Sequence, residues 1–442
     1  MTGAARVPVT ARSRAVPDIA PRWLFPALLA LPFLIGIAVL KGLTVEIDTF
    51  HGSDARVYQL PTILQFSDRL DFSNYPSAQT PLYHLLTAGW GEIVGFDLWK
   101  LRLLNVAFSY GAALALLRLL RRATPLEPWQ AFALTLLFTL SPYFFGASFT
   151  LLTDNLAILF ALLALERVDR FRSDASLATF GVACLCIAGA VLTRQSFLWL
   201  VPLAAWFLLR SAAPAGRRVA GAALLALALA PLAALVVDWG GLVPPTADPA
   251  SCGLCTDRPG VGRDALTLRT VGFTAALLGA YAAFIFGPGL LRRDRLLKAV
   301  PRGPIAVAVA AGLLLLAISP LAYEPIVPGQ AGDAGYLWKI SDRLPVVLGS
   351  SLVFWLLVPL GCLAVILLVR RAGPESLPAV YLAAFLIAAL PVRLVYQKYF
   401  DPFALLAIAL LARPPDLRGR WDYAGIALLC AGFVAYAISF AG

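Results

Sequence analysis

Residues 217–238 read RRVAGAALLALALAPLAALVVD: two arginines, an uncharged apolar run from Val219 to Val237, then Asp238. A helix of that run rises about 28 Å at 1.5 Å per residue, close to the ~30 Å hydrocarbon core of a bilayer. No water is available there to satisfy backbone N–H and C=O groups, so the run has to be helical. Leu24 to Leu40 and Val346 to Val369 have the same character. The whole 442-residue chain follows suit, with 60% hydrophobic and 14% charged residues and a mean hydropathy of +0.80. A soluble domain cannot hide that much apolar surface. Leu24–Leu40 follows Arg12, Arg14 and Arg22 as a signal peptide would, but it lacks a small-residue cleavage site and runs directly into Lys41 and Gly42. It reads as a retained first span.

Working outward, about thirteen spans are expected: 23–45, 101–118, 129–149, 151–166, 177–193, 196–210, 219–237, 269–291, 304–321, 347–369, 377–394, 400–412 and 423–441. The fold class is therefore an all-α, polytopic transmembrane helix bundle. The connections alternate in charge. One side holds 23 of the 36 basic residues, among them Arg121, Arg122, Arg217, Arg218, Arg370 and Arg371, and the other holds 16 of the 25 acidic ones. The positive-inside rule makes the basic side cytoplasmic. The net charge of +11 is thus a signal of topology, with anionic headgroups as its counterpart and not nucleic acid.

Residues 1–22 are expected to be a disordered cytoplasmic terminus and 23–442 a single membrane domain. Its three long extracytoplasmic loops are 45–100, 238–268 and 322–345. The first carries Glu46, Asp48, His51, Asp54, Asp68, Asp71 and His84, and its stretch from Thr80 to Phe96 reads as a helix lying in the interface. The second holds Cys252 and Cys255, whose lone C-x-x-C is weak evidence for zinc and, in a loop outside the cytosol, fits a local disulfide better than a redox site. Cys184, Cys186, Cys362 and Cys430 fall in apolar spans as small buried hydrophobes. No G-x-x-x-x-G-K-S/T phosphate loop occurs, which argues against an ATP-driven pump.

Ionisable residues bordering a span are functional candidates by default. Asp154, after Thr153 at the outer end of a span, suits a helix N-terminus and equally a site. Arg194-Gln195 interrupts an apolar stretch long enough to cross twice, so it sits at a tight outer turn. There the guanidinium either snorkels to lipid phosphate or clamps a substrate phosphate. Lys398, in Tyr396-Gln397-Lys398-Tyr399, is either an aromatic-belt cation or part of the same site. With the acids of the first loop these residues form a mixed-charge set at one membrane depth, which suits chemistry on a lipid-linked phosphate.

The chain resembles membrane glycosyltransferases of the GT-C superfamily, which use polyprenyl-phosphate sugars. Within that group it is similar to the endoplasmic-reticulum α-1,2-glucosyltransferase family that adds the terminal glucose to lipid-linked oligosaccharide. Asp48-Thr49-Phe50-His51 with Ala55 and Tyr58 resembles that family's Asp-Glu-x-Phe-His segment, Ile47 and Asp48 standing for its two acids. Leu101 to Asn105 resembles Leu-Arg-Phe-Val-Asn, and Pro142 to Phe145 followed by Thr153-Asp154 resembles Tyr-Phe-Phe followed by Thr-Glu. Thr193-Arg194-Gln195, Tyr336-Leu337-Trp338-Lys339 and Lys398-Tyr399-Phe400 resemble Phe-Arg-Gln-Thr-Asn, Tyr-Val-Trp-Lys and Arg-Tyr-Phe. Gln330-Ala331-Gly332-Asp333 stands where the family has Asp-Asn-Arg-His.

The resemblance implies an inverting transfer of a hexose, glucose or another, from a polyprenyl-phosphate donor to a lipid-linked glycan or other acceptor. Asp48, or in second place Asp54, would be the general base. Arg194 and Lys398, with Lys339, would stabilise the departing phosphate, while His51 and Asp154 orient the acceptor. Asp154 could also hold a divalent ion such as Mg or Mn. Gln195 would contact substrate, and Tyr336 and Trp338 would offer flat faces to a sugar ring. The rival readings are a transporter or flippase of lipid-linked sugars, an O-antigen-type polymerase or ligase, and an inert scaffold. Many Arg and Ala against few Lys points to a high-GC bacterium, hence an inner membrane with the site facing the periplasm.

Overall fold

The computed structural model describes residues 23–41, 54–246, 267–292, 302–325, 333–392, 395–417 and 419–438. Asp48, His51, Arg393 and the Cys252–Cys255 pair lie outside the described residues, as does the expectation for residues 1–22.

The described chain is an all-α bundle apart from one two-stranded hairpin. Each of the thirteen apolar segments carries a helix: α1 (Leu24–Val39), α4 (Leu98–Ala123), α5 (Pro128–Leu140) with α6 (Pro142–Ser148), α7 (Asp154–Asp174), α8 (Leu177–Thr193), α9 (Leu200–Leu209), α10 (Ala215–Trp239), α11 (Arg269–Arg292), α12 (Arg302–Ile318), α14 (Leu352–Ala372), α15 (Leu377–Ala389), α16 (Asp401–Leu411) and α17 (Arg420–Ile438). Between them, α2 (Leu60–Asp68) and α3 (Leu82–Val94) form the first loop and α13 (Tyr336–Asp342) part of the third. Among the described residues five helices are long and apolar enough to cross a membrane, or six if α5 and α6 count as one bent span. The other segments are shorter than a full crossing or, like the Arg- and Asp-rich end of α7, too charged by the same measure.

Local chemistry explains the breaks. Ser141 precedes Pro142, and the proline ring forces the preceding residue out of helical geometry; Ser141 is extended (ψ 136°) and α5 and α6 meet at 69°. Arg194 is extended as well (φ −150°), ending α8, and a 3-10 turn at Gln195–Trp199 leads into α9. The tight turn expected at Arg194-Gln195 is therefore present.

Packing follows from small residues. α11 and α14 cross where Gly279 and Gly361 face one another's backbones: a Cβ on Gly361 would stand 1.8 Å from the Ala275 carbonyl oxygen. Close backbone approach through small residues is how helices associate where lipid removes the hydrophobic driving force. α10, by contrast, leaves Val219, Leu227 and Val237 exposed on an apolar face suited to acyl chains.

The first loop folds onto the bundle with a core of its own. Ile63, Phe66, Tyr75, Tyr83 and Leu101 pack with Leu151, Leu156 and Trp239. The Trp239 ring N–H donates to the Phe72 carbonyl at 2.8 Å, and the Thr80 hydroxyl donates to Val191 O of α8 at 2.8 Å. His84 is fully buried against Gln59 at 2.6 Å, and burial pushes its imidazolium down to about 3, so it stays neutral and structural. The stretch from Thr80 to Phe96 does contain a helix, α3.

Candidate functional site

Folding brings Asp54, Asp154, Arg194 and Lys398, drawn from four distant segments, around one small pocket. Asp54 leads a π-helical turn, Ala55–Gln59, that runs into α2. Asp154 opens α7, with Thr153 at the cap position making no side-chain capping bond. Its carboxylate goes elsewhere, to Arg194 Nη1 at 2.6 Å, while the same nitrogen donates to Thr153 Oγ1 at 3.4 Å. Asp154 therefore pairs with Arg194 and makes no capping hydrogen bond, while it still places a negative charge at a helix N-terminus, where the dipole favours it.

Lys398 sits in a 3-10 turn, Gln397–Tyr399, and its Nζ donates to Asp54 Oδ2 at 3.2 Å. Tyr399 lies between the two cations: Arg194 is 5.5 Å and Lys398 5.3 Å from its ring centroid. Cation–π attraction of this kind grows when water is excluded, and the Arg194 and Lys398 side chains are only 10% and 12% exposed. Burial works against the Lys398 ammonium. Tyr399, Asp54 and Asp154 outweigh it and hold the pKa above the ordinary lysine value. Lys398 stays a cation at neutral pH.

Three cavities converge on this lysine. The largest, about 900 Å³, runs between α1, α5, α6 and α17 along Pro32, Gly36, Phe132, Leu136 and Val434, and ends on Asp333, Lys339, Tyr396 and Lys398. A second, about 120 Å³, is walled by Phe197, Trp199, Phe385 and Phe403 and reaches Asp154, Arg194 and Gln195. The charged pocket itself, about 30 Å³, adds Tyr58, Gln59, Ser77 and Gln79.

The remaining expected residues divide. Gln195 uses its amide N–H groups on Ala78 O at 2.8 Å and Leu242 O at 3.1 Å, pinning the first loop to the bundle, while its side chain lines the second cavity. Lys339 lines the large cavity. Trp338 is a correction: it is fully buried, stacked on Phe273 at 4.7 Å with Arg269 5.1 Å from its ring centroid, and its ring N–H donates to Val395 O at 2.8 Å. It has no face for a sugar. Tyr336 is a second correction. Its ring stacks on Tyr143 and its hydroxyl donates to Asp401 Oδ1 at 2.7 Å, so it braces α13 against α16.

Asp401 was missed. It is fully buried at the head of α16, where Tyr281, Tyr336 and Gln397 all donate to its Oδ1, and it fixes the turn that carries Lys398. A lone carboxylate at the start of an apolar run was the signal. Tyr58 and Tyr399 figure in the sequence only as members of the motif matches, and nothing in the sequence singles out Gln79. Beside the site, Arg269 holds Asp333 through both carboxylate oxygens, at 3.0 and 2.6 Å, and burial pushes the Asp333 carboxyl up to about 6 against the pull of that arginine.

Among the described residues no three His, Cys, Asp or Glu side chains are arranged to hold a metal ion. Asp54 and Asp154, the two carboxylates of the pocket, are each bound by a cation, so the described residues do not fit a divalent ion.

No protein-family model matches the sequence, and no curated protein matches it. Among solved structures the chain is similar to ArnT from Cupriavidus metallidurans bound to undecaprenyl phosphate (15% identity, TM-score 0.41, 95% of this chain and 79% of that chain). It is also similar to the archaeal oligosaccharyltransferase AglB from Archaeoglobus fulgidus in complex with an inhibitory peptide and a dolichol-phosphate (13%, 0.36, 89% and 56%). A third similar structure is the S. cerevisiae protein O-mannosyltransferase Pmt1-Pmt2 complex bound to the sugar donor (15%, 0.39), where the match covers 58% of this chain and 39% of the length of that one.

Proposed function

We propose that this protein is a GT-C-type glycosyltransferase that moves a sugar from a polyprenyl-phosphate donor to an acceptor at the extracytoplasmic face of the membrane. The observation carrying the proposal is the position of Lys398, shared by the charged Asp54–Asp154–Arg194 pocket and the apolar cavity of about 900 Å³. An apolar groove ending on fixed cations matches a lipid phosphate: the prenyl chain takes the groove and the phosphate meets Lys398, with Arg194 behind it. A hexose as the sugar and a lipid-linked glycan or other acceptor are what the motif resemblance implies.

In this reading the sugar's anomeric carbon is attacked by an acceptor hydroxyl as the bond to the lipid phosphate breaks, with inversion. A carboxylate takes the hydroxyl proton, and the lipid phosphate leaves with the electron pair. Negative charge grows on the leaving phosphate, and Arg194, held in place by Asp154 and Tyr399, together with Lys398 stabilises it electrostatically. Asp54 is the base candidate within the described residues, and Asp48 remains the first choice from the motif. Arrival of the donor phosphate at Lys398 competes for the ammonium that holds Asp54, which frees that carboxylate to accept the proton. Gln195 and Asp154 orient the acceptor, a role the motif resemblance also implies for His51, and Lys339 attends the donor in the large cavity.

The test is transfer from a labelled polyprenyl-phosphate sugar by purified, well-folded Asp54→Asn and Asp48→Asn. General-base catalysis supplies about 10²–10⁴-fold, so one of the two variants should lose that much. Undiminished transfer by both would remove the carboxylate base from the mechanism.

A further inference from the structure

Immediately before α14 lies a β-hairpin whose shape is at odds with its sequence. Strands β1 (Val346–Val347) and β2 (Ser350–Ser351) pair antiparallel, leaving Leu348-Gly349 as a two-residue turn. Both turn residues have positive φ, 49° and 78°. A turn of this kind favours Asn, Asp or Gly at its first position, because in the left-handed region a Cβ crowds the following carbonyl oxygen, which glycine avoids and Asn or Asp offset by local hydrogen bonds. Here that position is a leucine, and the residue is 81% exposed. Leu344, Val346, Val347 and Leu352 are exposed beside it, with no charge between Leu344 and Leu352. An exposed apolar cluster on a strained tip marks a contact surface rather than a convenient turn.

The position of the hairpin names the partner. Its second strand runs straight into α14, one of the helices long and apolar enough to cross a membrane. Its base is tied to the segment just after α12: Ser351 N–H donates to Leu321 O and Leu321 N–H to Ser350 Oγ, both at 2.9 Å. The lipid-facing sides of those helices, Leu314 and Ile318 on α12 and Leu356 on α14, are exposed in continuation of the hairpin. The geometry points to the hairpin tip as a membrane-inserting anchor that buries Leu348 and Val346 among outer-leaflet lipids. The anchor also steadies α13 just upstream, since Ser351 Oγ donates to Ser341 O at 3.1 Å. This inference is independent of the transferase reading.

The test uses the full-length protein in phosphatidylcholine–phosphatidylglycerol vesicles. A polarity-sensitive fluorophore is attached to Leu348→Cys or Val346→Cys, the labelled parent giving the background from the six native cysteines. The label should emit to the blue of one on Arg69→Cys, an exposed first-loop site. It should also be quenched at least twofold more by lipids bearing a nitroxide near the headgroup. Leu348→Asn suits the turn better, so it should melt no lower in detergent, yet it should halve the lipid quenching of a label at position 346. Emission and quenching equal to the Arg69→Cys control overturn the anchor, as does protection seen only at high protein concentration, which would assign the tip to a second copy. Quenching at position 346 unchanged by Leu348→Asn also overturns it.

Discussion

Replacing Asp154 by Asn removes the carboxylate that sits 2.6 Å from Arg194 Nη1. With an effective dielectric constant near 20, the attraction lost is roughly 6 kcal/mol, but both groups gave up hydration to form the pair. Removing one partner from a fully buried pair costs about 3–5 kcal/mol, mostly because the other charge is stranded. Here the Arg194 and Asp154 side chains keep 10% and 19% of their exposure, and Arg194 retains Thr153 and the Tyr399 ring. The expected loss is therefore about 2–3 kcal/mol after screening. The readout is the melting temperature of detergent-solubilised protein, followed by size exclusion after stepwise heating, and a fall of several degrees is expected. Asp154→Asn/Arg194→Met removes both charges and should recover at least half of that loss, while sugar transfer stays impaired in both variants. A double variant no more stable than Asp154→Asn would refute the argument, because the stranded guanidinium would then not be the source of the cost.

Three further outcomes follow from the same geometry. Lys398→Met should cut kcat for transfer by about 10²–10³-fold, the usual loss when one preorganised charge stabiliser is removed; single-turnover rates on a labelled donor check it. Gly361→Leu drives a side chain into the Ala275 carbonyl, 1.8 Å from where its Cβ would stand, and should cost more than about 3 kcal/mol or abolish monodisperse expression. Asp333 titrates near 6 in the folded protein, above its ordinary value of 3.8. Its stabilising contribution is then complete below pH 3.8 and lost as pH rises through 6. The difference in melting temperature between the parent and Asp333→Asn should change across that window and be flat above it.

The set of site residues was partly legible because ionisable side chains bordering apolar runs are few. Asp154, Arg194 and Lys398 each stood out against their neighbours, and one pocket holds all three with Asp54. Trp338 was misjudged for a physical reason: a tryptophan beside a lysine in a loop looks available for stacking, and only packing reveals Phe273 on one face and Arg269 on the other. Asp401 escaped because its worth lies in what reaches it. Tyr281, Tyr336 and Gln397 are remote in sequence or ordinary in type, and nothing local says that they converge.

Hydropathy alone determined that this chain is a helical membrane protein, since that property is set by transfer from water to lipid, residue by residue. Which charges neutralise which, and where an apolar groove meets them, depends on distances between segments hundreds of residues apart. Lys398 finds Asp54 only once α16 and the first loop are packed against the same bundle, and that is information carried by the tertiary structure.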